Sequence, residues 1–106
     1  MQVSLSSNIN PNHDANLKVW ISEQGILFNR LRAKDAAAFK ILYQQYAAAI
    51  FGTITRSIKD EEKAKSILEQ TFCEVWQAFP EYDETKISVF TWIHQIASRK
   101  IKKITL

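Results

Sequence analysis

A chain of 106 residues suits one small domain, and 46% hydrophobic residues suffice for a modest core. Two glycines and two prolines are too few for a turn-rich all-β fold, no stretch approaches the roughly 18 apolar residues of a membrane span, and the single Cys73 excludes an intrachain disulfide. The net charge of +3 is concentrated: Arg99, Lys100, Lys102 and Lys103 supply four cations in five residues, while the other ten basic residues are outnumbered by eleven acids.

Such a patch attracts phosphates, and it equally suits the negative end of a helix dipole; both readings stand at this point. A lone thiol fits a reducing, cytoplasmic setting. Residues 1–16 are rich in Ser and Asn, contain Pro11, and lack the basic start and apolar run of a secretory signal. They read as a disordered tail, and 17–106 as one helical domain.

A first helix is expected from Leu17 or Ser22 to Ala33, with Ser22 as cap, Ile26, Leu27 and Leu31 facing the core, and Gly25 weakening its start. Asp35 should cap a second helix over 36–58, on which Phe39, Leu42, Tyr43, Tyr46, Ile50, Ile54 and Ile58 recur at steps of three and four. Gly52 inside it predicts a closely packed neighbour. Asp60 should cap a third helix over 61–79, with Glu61 and Glu62 in its first turn and Pro80 as its stop. Its buried stripe would be Ala64, Ile67, Leu68, Thr71, Phe72, Val75 and Phe79; its other face carries Lys65, Ser66, Glu69, Gln70, Glu74 and Gln77, either solvated or docked.

Residues 80–87 read as a loop, and Ser88 should cap a fourth helix over 89–103. Steps of about 100° place Phe90, Ile93, Ala97, Ile101 and Ile104 on one side, with Val89 and Ile96 beside them. Thr91, Gln95, Ser98, Arg99 and Lys102 fall on the other side. Trp92 lies at the margin near Arg99 and Lys103, where it either extends the core or offers a stacking surface to a base. The fold class is therefore all-α: a compact bundle of three long helices and a shorter N-terminal one.

Nothing points to an enzyme. His13 and His94 have no Cys or carboxylate at ligand spacing, Cys73 has no basic neighbour to activate it, and two isolated glycines make no phosphate loop. Cys73 is expected to be a packed or idle thiol and His94 a surface residue. No catalytic residue, metal or cofactor is expected.

Four blocks resemble region 2 of sigma-70 family sigma factors, especially the extracytoplasmic-function class. Residues 35–46, DAAAFKILYQQY, are similar to D-x-x-A-F-x-x-L-Y-x-x-Y, and residues 64–76, AKSILEQTFCEVW, to A-E-D-L-V-Q-E-T-F-x-x-V-W. Residues 79–83, FPEYD, resemble the start of the family's loop, and residues 90–100, FTWIHQIASRK, are similar to F-x-x-W-L-x-x-I-A-R-N. The resemblance implies a domain with two working surfaces and no membrane association. The polar face of the third helix, here Lys65, Ser66, Glu69 and Gln70, would dock on the clamp coiled coil of the RNA polymerase core. The loop and fourth helix would hold the minus-ten element of promoter DNA as a melted strand. The matching positions are Lys86, Ser88, Thr91, Trp92, Gln95, Ser98 and Arg99, with Lys102 and Lys103 extending the basic run. An anti-sigma factor is a further partner the resemblance implies.

This chain departs from the pattern at defined places. Lys65 and Ser66 replace an acidic pair, Glu69-Gln70 inverts a Gln-Glu, Arg99 stands where the family has Asn, and Lys103 where it has Asp. The family's linker and second helix-turn-helix domain do not fall within these residues, which suggests an excised domain or a truncated paralogue. Two other readings remain open: a degenerate sigma-like interaction module that has lost DNA binding, and a duplex-reading helix-turn-helix. The latter is disfavoured because residues 80–87 are too long for its turn.

Overall fold

Two aspartates start the two longest helices. In the computed structural model, which describes residues 23–105, Asp35 accepts from the backbone N–H groups of Ala37 (2.9 Å) and Ala38 (3.4 Å) and opens α2, Ala36–Ser57. Asp60 accepts from Glu62 (3.0 Å) and Lys63 (3.2 Å) and opens α3, Glu61–Ala78. Each carboxylate satisfies donors that the first helical turn leaves unpaired. A helix, α1, whose described part is 23–32, precedes them; α4, Val89–Thr105, follows a 3₁₀ turn at Phe79–Glu81. The expected tail over 1–16 and the Ser22 cap lie outside the described residues. Asp60→Ala should lower unfolding free energy by about 0.5–2 kcal/mol, read as a lower urea midpoint with an unchanged slope.

α1 ends in a Schellman turn. Asp35 N–H donates to the Arg30 carbonyl (3.0 Å) and Lys34 N–H to that of Leu31 (3.1 Å), with Lys34 at φ 64°. This left-handed position usually takes Gly, because a Cβ is unfavourable there. Lys34 gains a tertiary contact in exchange: its ammonium donates to the Trp76 carbonyl and lies 5.1 Å from the indole centroid. Arg30 Nε bonds Asp35 Oδ2 at 2.7 Å, which holds this carboxyl below the usual carboxylate range.

α2, α3 and α4 each pack on the other two. Their buried faces are Ala38, Leu42, Ile50 and Ile54 on α2, Ala64, Ile67, Phe72 and Val75 on α3, and Val89, Ile93, Ile96, Ala97 and Ile101 on α4. Thr71 is buried but satisfied, its hydroxyl donating to the Ile67 carbonyl at 2.8 Å.

Several expected core positions shift. On α1, Ile26 is exposed while Phe28 joins Leu31 in the core, with Leu27 only half-buried. Tyr43 is 38% exposed, although its ring stays 4.9 Å from Phe72. Phe90 and Ile104 are exposed, because the face α4 buries turns toward Ile96. No neighbour approaches within 4 Å of where a Cβ at Gly52 would sit, so close packing does not explain that glycine. Pro80 ends α3 by entering a 3₁₀ turn rather than an open loop, since its missing N–H is harmless at the start of a new turn, where the N–H groups have no partner within the turn. That turn brings Tyr82 into the core, where its hydroxyl donates to the Ile87 carbonyl at 2.7 Å and burial raises its pKa.

Candidate nucleic-acid interface

The start of α4 is fixed by Ser88. Its hydroxyl oxygen accepts from Thr91 N–H at 3.2 Å and lies 2.9 Å from the Thr91 hydroxyl. With Ile93, Ile96, Ala97 and Ile101 turned inward, Thr91, Gln95, Arg99 and Lys102 are exposed along one outer face and Ser98 is half-buried there. The eleven helical steps from Thr91 to Lys102 extend roughly 16 Å along the axis. The sequence-expected α4 positions are thus brought onto one strip of surface.

Trp92 sits at the edge of that strip, half-buried, and its closest aromatic partner is not on α4. Its ring stacks on Tyr82 (centroids 4.8 Å, interplanar 29°) and meets the edge of Phe79 at 5.7 Å. One indole face is therefore already covered by the loop that precedes the helix. The loop is in turn folded by Asp83, whose carboxylate accepts from the Thr85 N–H (2.9 Å) and hydroxyl (2.6 Å) and is held below the usual carboxylate range by those bonds. An ion pair between Arg32 and Glu84 ties it to α1. Lys86 and Ser88 are exposed beside it.

On the opposite edge of the strip lies a group the sequence does not reveal. Phe90 is 37% exposed, 5.9 Å from Tyr46 of α2 and 6.1 Å from His94. Phe90, Tyr46, Tyr82 and Ser88 line a cleft of about 240 Å³ at the N-terminal end of α4. Helical spacing places Phe90 with Ile93 and Ala97, so no signal in the sequence marks it as exposed.

The basic run is divided. Arg99 and Lys100 both pair with Glu74 of α3, at 3.0 and 2.9 Å, whereas Lys102 and Lys103 are exposed and make no ion pair among the described residues. Lys100 is the stronger influence holding the Glu74 carboxyl below its ordinary range, against a smaller upward push from burial. Trp92 contacts the loop and Arg99 contacts α3.

The α3 positions Lys65, Ser66, Glu69 and Gln70 are all exposed on one face. Gln70 Nε2 donates to Ser66 Oγ at 3.1 Å, and Lys65 lies 3.6 Å from Glu61. Beside this face runs an apolar groove of about 340 Å³ between Phe39, Tyr43, Phe72 and Trp76, with Glu69 on its rim. Cys73 lines it and is exposed, so of the two expected states, packed or idle, it is not the packed one. Among the described residues no cluster of His, Cys, Asp or Glu could hold a metal ion, and no helix is long and apolar enough to cross a membrane.

Residues 42–104 match the sequence profile of sigma-70 region 2. Over 86 residues the chain is 28% identical to the ECF RNA polymerase sigma factor SigK of Mycolicibacterium vanbaalenii, an alignment covering 81% of this chain and 44% of that protein. It is 27% identical over 79 residues to proteins of the same name from Mycobacterium tuberculosis and Mycobacterium bovis, covering 74% of this chain and 42% of each. The chain thus spans less than half the length of these relatives. No solved structure gives a significant match.

Proposed function

This chain belongs to the sigma-70 region 2 family, and from that membership we propose that it docks on RNA polymerase core through α3 and holds the melted minus-ten promoter element on α4. The observation that carries the reading is the outer strip of α4. Hydroxyl and amide groups at Thr91, Gln95 and Ser98 run between an aromatic edge at Trp92 and another at Phe90, and end in the exposed cations Lys102 and Lys103.

Holding a melted strand involves no bond making or breaking. It requires π surface to replace the stacking that bases lose, space for an unstacked base, and cations for phosphate. The exposed part of the half-buried Trp92 ring and the rings of Phe90 and Tyr46 supply the first, and the cleft beside Ser88 the second. Lys86, Lys102 and Lys103 supply the third. The Trp92 ring held against Tyr82 is pre-oriented, so less side-chain freedom is lost when a base stacks.

Docking on core polymerase is assigned to Lys65, Ser66, Glu69 and Gln70, with the apolar groove beside them available to a partner helix. The names of the mycobacterial relatives, which describe RNA polymerase sigma factors, support a polymerase partner. The test pairs a core-enzyme pull-down with fluorescence anisotropy on a labelled single strand and its duplex, in the presence of core. Glu69→Lys with Gln70→Ala should reduce core capture at least tenfold, and the single strand should be preferred over the duplex. Core capture unchanged by those substitutions would overturn the docking assignment. Absence of single-strand binding even with core would leave the interaction-module reading in place of the DNA role.

A further inference from the structure

We propose that Glu74 is a positioning residue for nucleic-acid contact: it holds Arg99 back as an internal counter-ion, and phosphate must displace it before Arg99 can engage. The inference rests on the DNA reading of α4 and adds to it a residue on a different helix. Glu74 lies 25 positions before Arg99 and reaches it across the α3–α4 interface.

The geometry is asymmetric in a way that permits exchange. The two carboxylate oxygens are shared out, Oε1 to Lys100 at 2.9 Å and Oε2 to Arg99 Nη2 at 3.0 Å. The Lys100 side chain is only 20% exposed and that of Arg99 is 61% exposed. Lys100 is thus seated in the α3–α4 seam, whereas Arg99 reaches the carboxylate from the rim. When Arg99 swings away, Glu74 keeps a charged partner, so no partly buried carboxylate is left uncompensated. The departing guanidinium has only to rotate from the α3 edge toward the Gln95–Lys102 strip. Its fork of donors matches a phosphate as well as a carboxylate. The consequence is a chain whose single-strand affinity is set below what its cation count implies.

The test uses the full 106-residue chain and four proteins: parent, Glu74→Gln, Arg99→Ala, and the double substitution. Binding of a labelled single-stranded oligonucleotide is measured over a salt series with core polymerase present. Gln keeps the size and hydrogen-bonding capacity of the side chain and removes its charge. Freeing one cation for phosphate should steepen the log–log salt slope by about 0.7 and tighten binding about five- to tenfold at 0.05 M salt. The gain should vanish in the double substitution, and Arg99→Ala alone should cost little. The glutamine amide oxygen can still accept from the Lys100 ammonium in the α3–α4 seam, so the melting temperature of Glu74→Gln should fall by only a few degrees. Parent and Glu74→Gln binding with equal affinity and slope would overturn the role of Glu74 while leaving the DNA reading intact, as would a gain that persists without Arg99. No binding by any of the four, Glu74→Gln included, would overturn both.

Discussion

Phe79→Ala is expected to destabilise the domain by about 3–5 kcal/mol, a large part of the roughly 5–15 kcal/mol that keeps a small domain folded. Phe79 is 1% exposed and has three aromatic rings against it. Its centroid lies 5.5 Å from Phe28, 5.4 Å from Tyr82 and 5.7 Å from Trp92, and the Arg32 guanidinium caps it at 5.9 Å. Stiff neighbours cannot collapse into the space an alanine would leave, so the cavity term adds to the lost transfer free energy. Phe72→Ala should fall at the lower end of the same range. That ring is also buried, but it borders the open groove between α2 and α3, where Tyr43 can move in. Urea unfolding followed by circular dichroism measures both. A loss below about 1 kcal/mol for Phe79→Ala would remove it from the centre of the core. The substitution should also weaken nucleic-acid binding, because Phe79 and Tyr82 form the wall on which Trp92 is held.

The parts of this fold that were legible in the sequence are those set by local interactions. Asp35 and Asp60 announce α2 and α3 because an N-cap needs only the donors two and three residues ahead. The inward position of Ile93, Ala97 and Ile101 follows from helical spacing alone. What escaped depends on a neighbour. Helical spacing puts Phe90 within the α4 stripe and Ile96 beside it, yet the bundle buries Ile96 and leaves Phe90 at the surface against Tyr46. Tyr82 has no periodic partner in sequence, and only the 3₁₀ turn folds it back onto Phe28 and Phe79. In the candidate site, the exposure of Thr91, Gln95 and Lys102 was readable, whereas the pairing of Glu74 with Arg99 and Lys100 was not. An ion pair between two helices leaves no spacing signature.

Replacing Arg99, Lys102 and Lys103 together with Ala decides what the basic end of α4 is for. If the cations meet phosphate, the salt slope of single-strand binding should flatten by about 0.7 for each phosphate no longer neutralised, about 1.4 from the two unpaired lysines alone. It should approach about 2 only where Arg99 also exchanges Glu74 for phosphate. At 0.05 M salt that corresponds to an affinity loss of about 60-fold for two phosphates and several hundredfold for three. If instead the cations serve only the helix dipole, affinity and slope should stay at parental values. The cost would then fall on stability, about 0.3–1 kcal/mol for each lysine in the last turn. The two outcomes lie on different instruments, a salt series and a urea melt. Comparing Lys102→Ala/Lys103→Ala with the triple substitution isolates the Arg99 step: small with Glu74 intact, and equal to one whole phosphate in the Glu74→Gln background. A triple variant that binds like the parent at low salt would assign the charge of α4 to its own helix and remove phosphate neutralisation from the DNA reading.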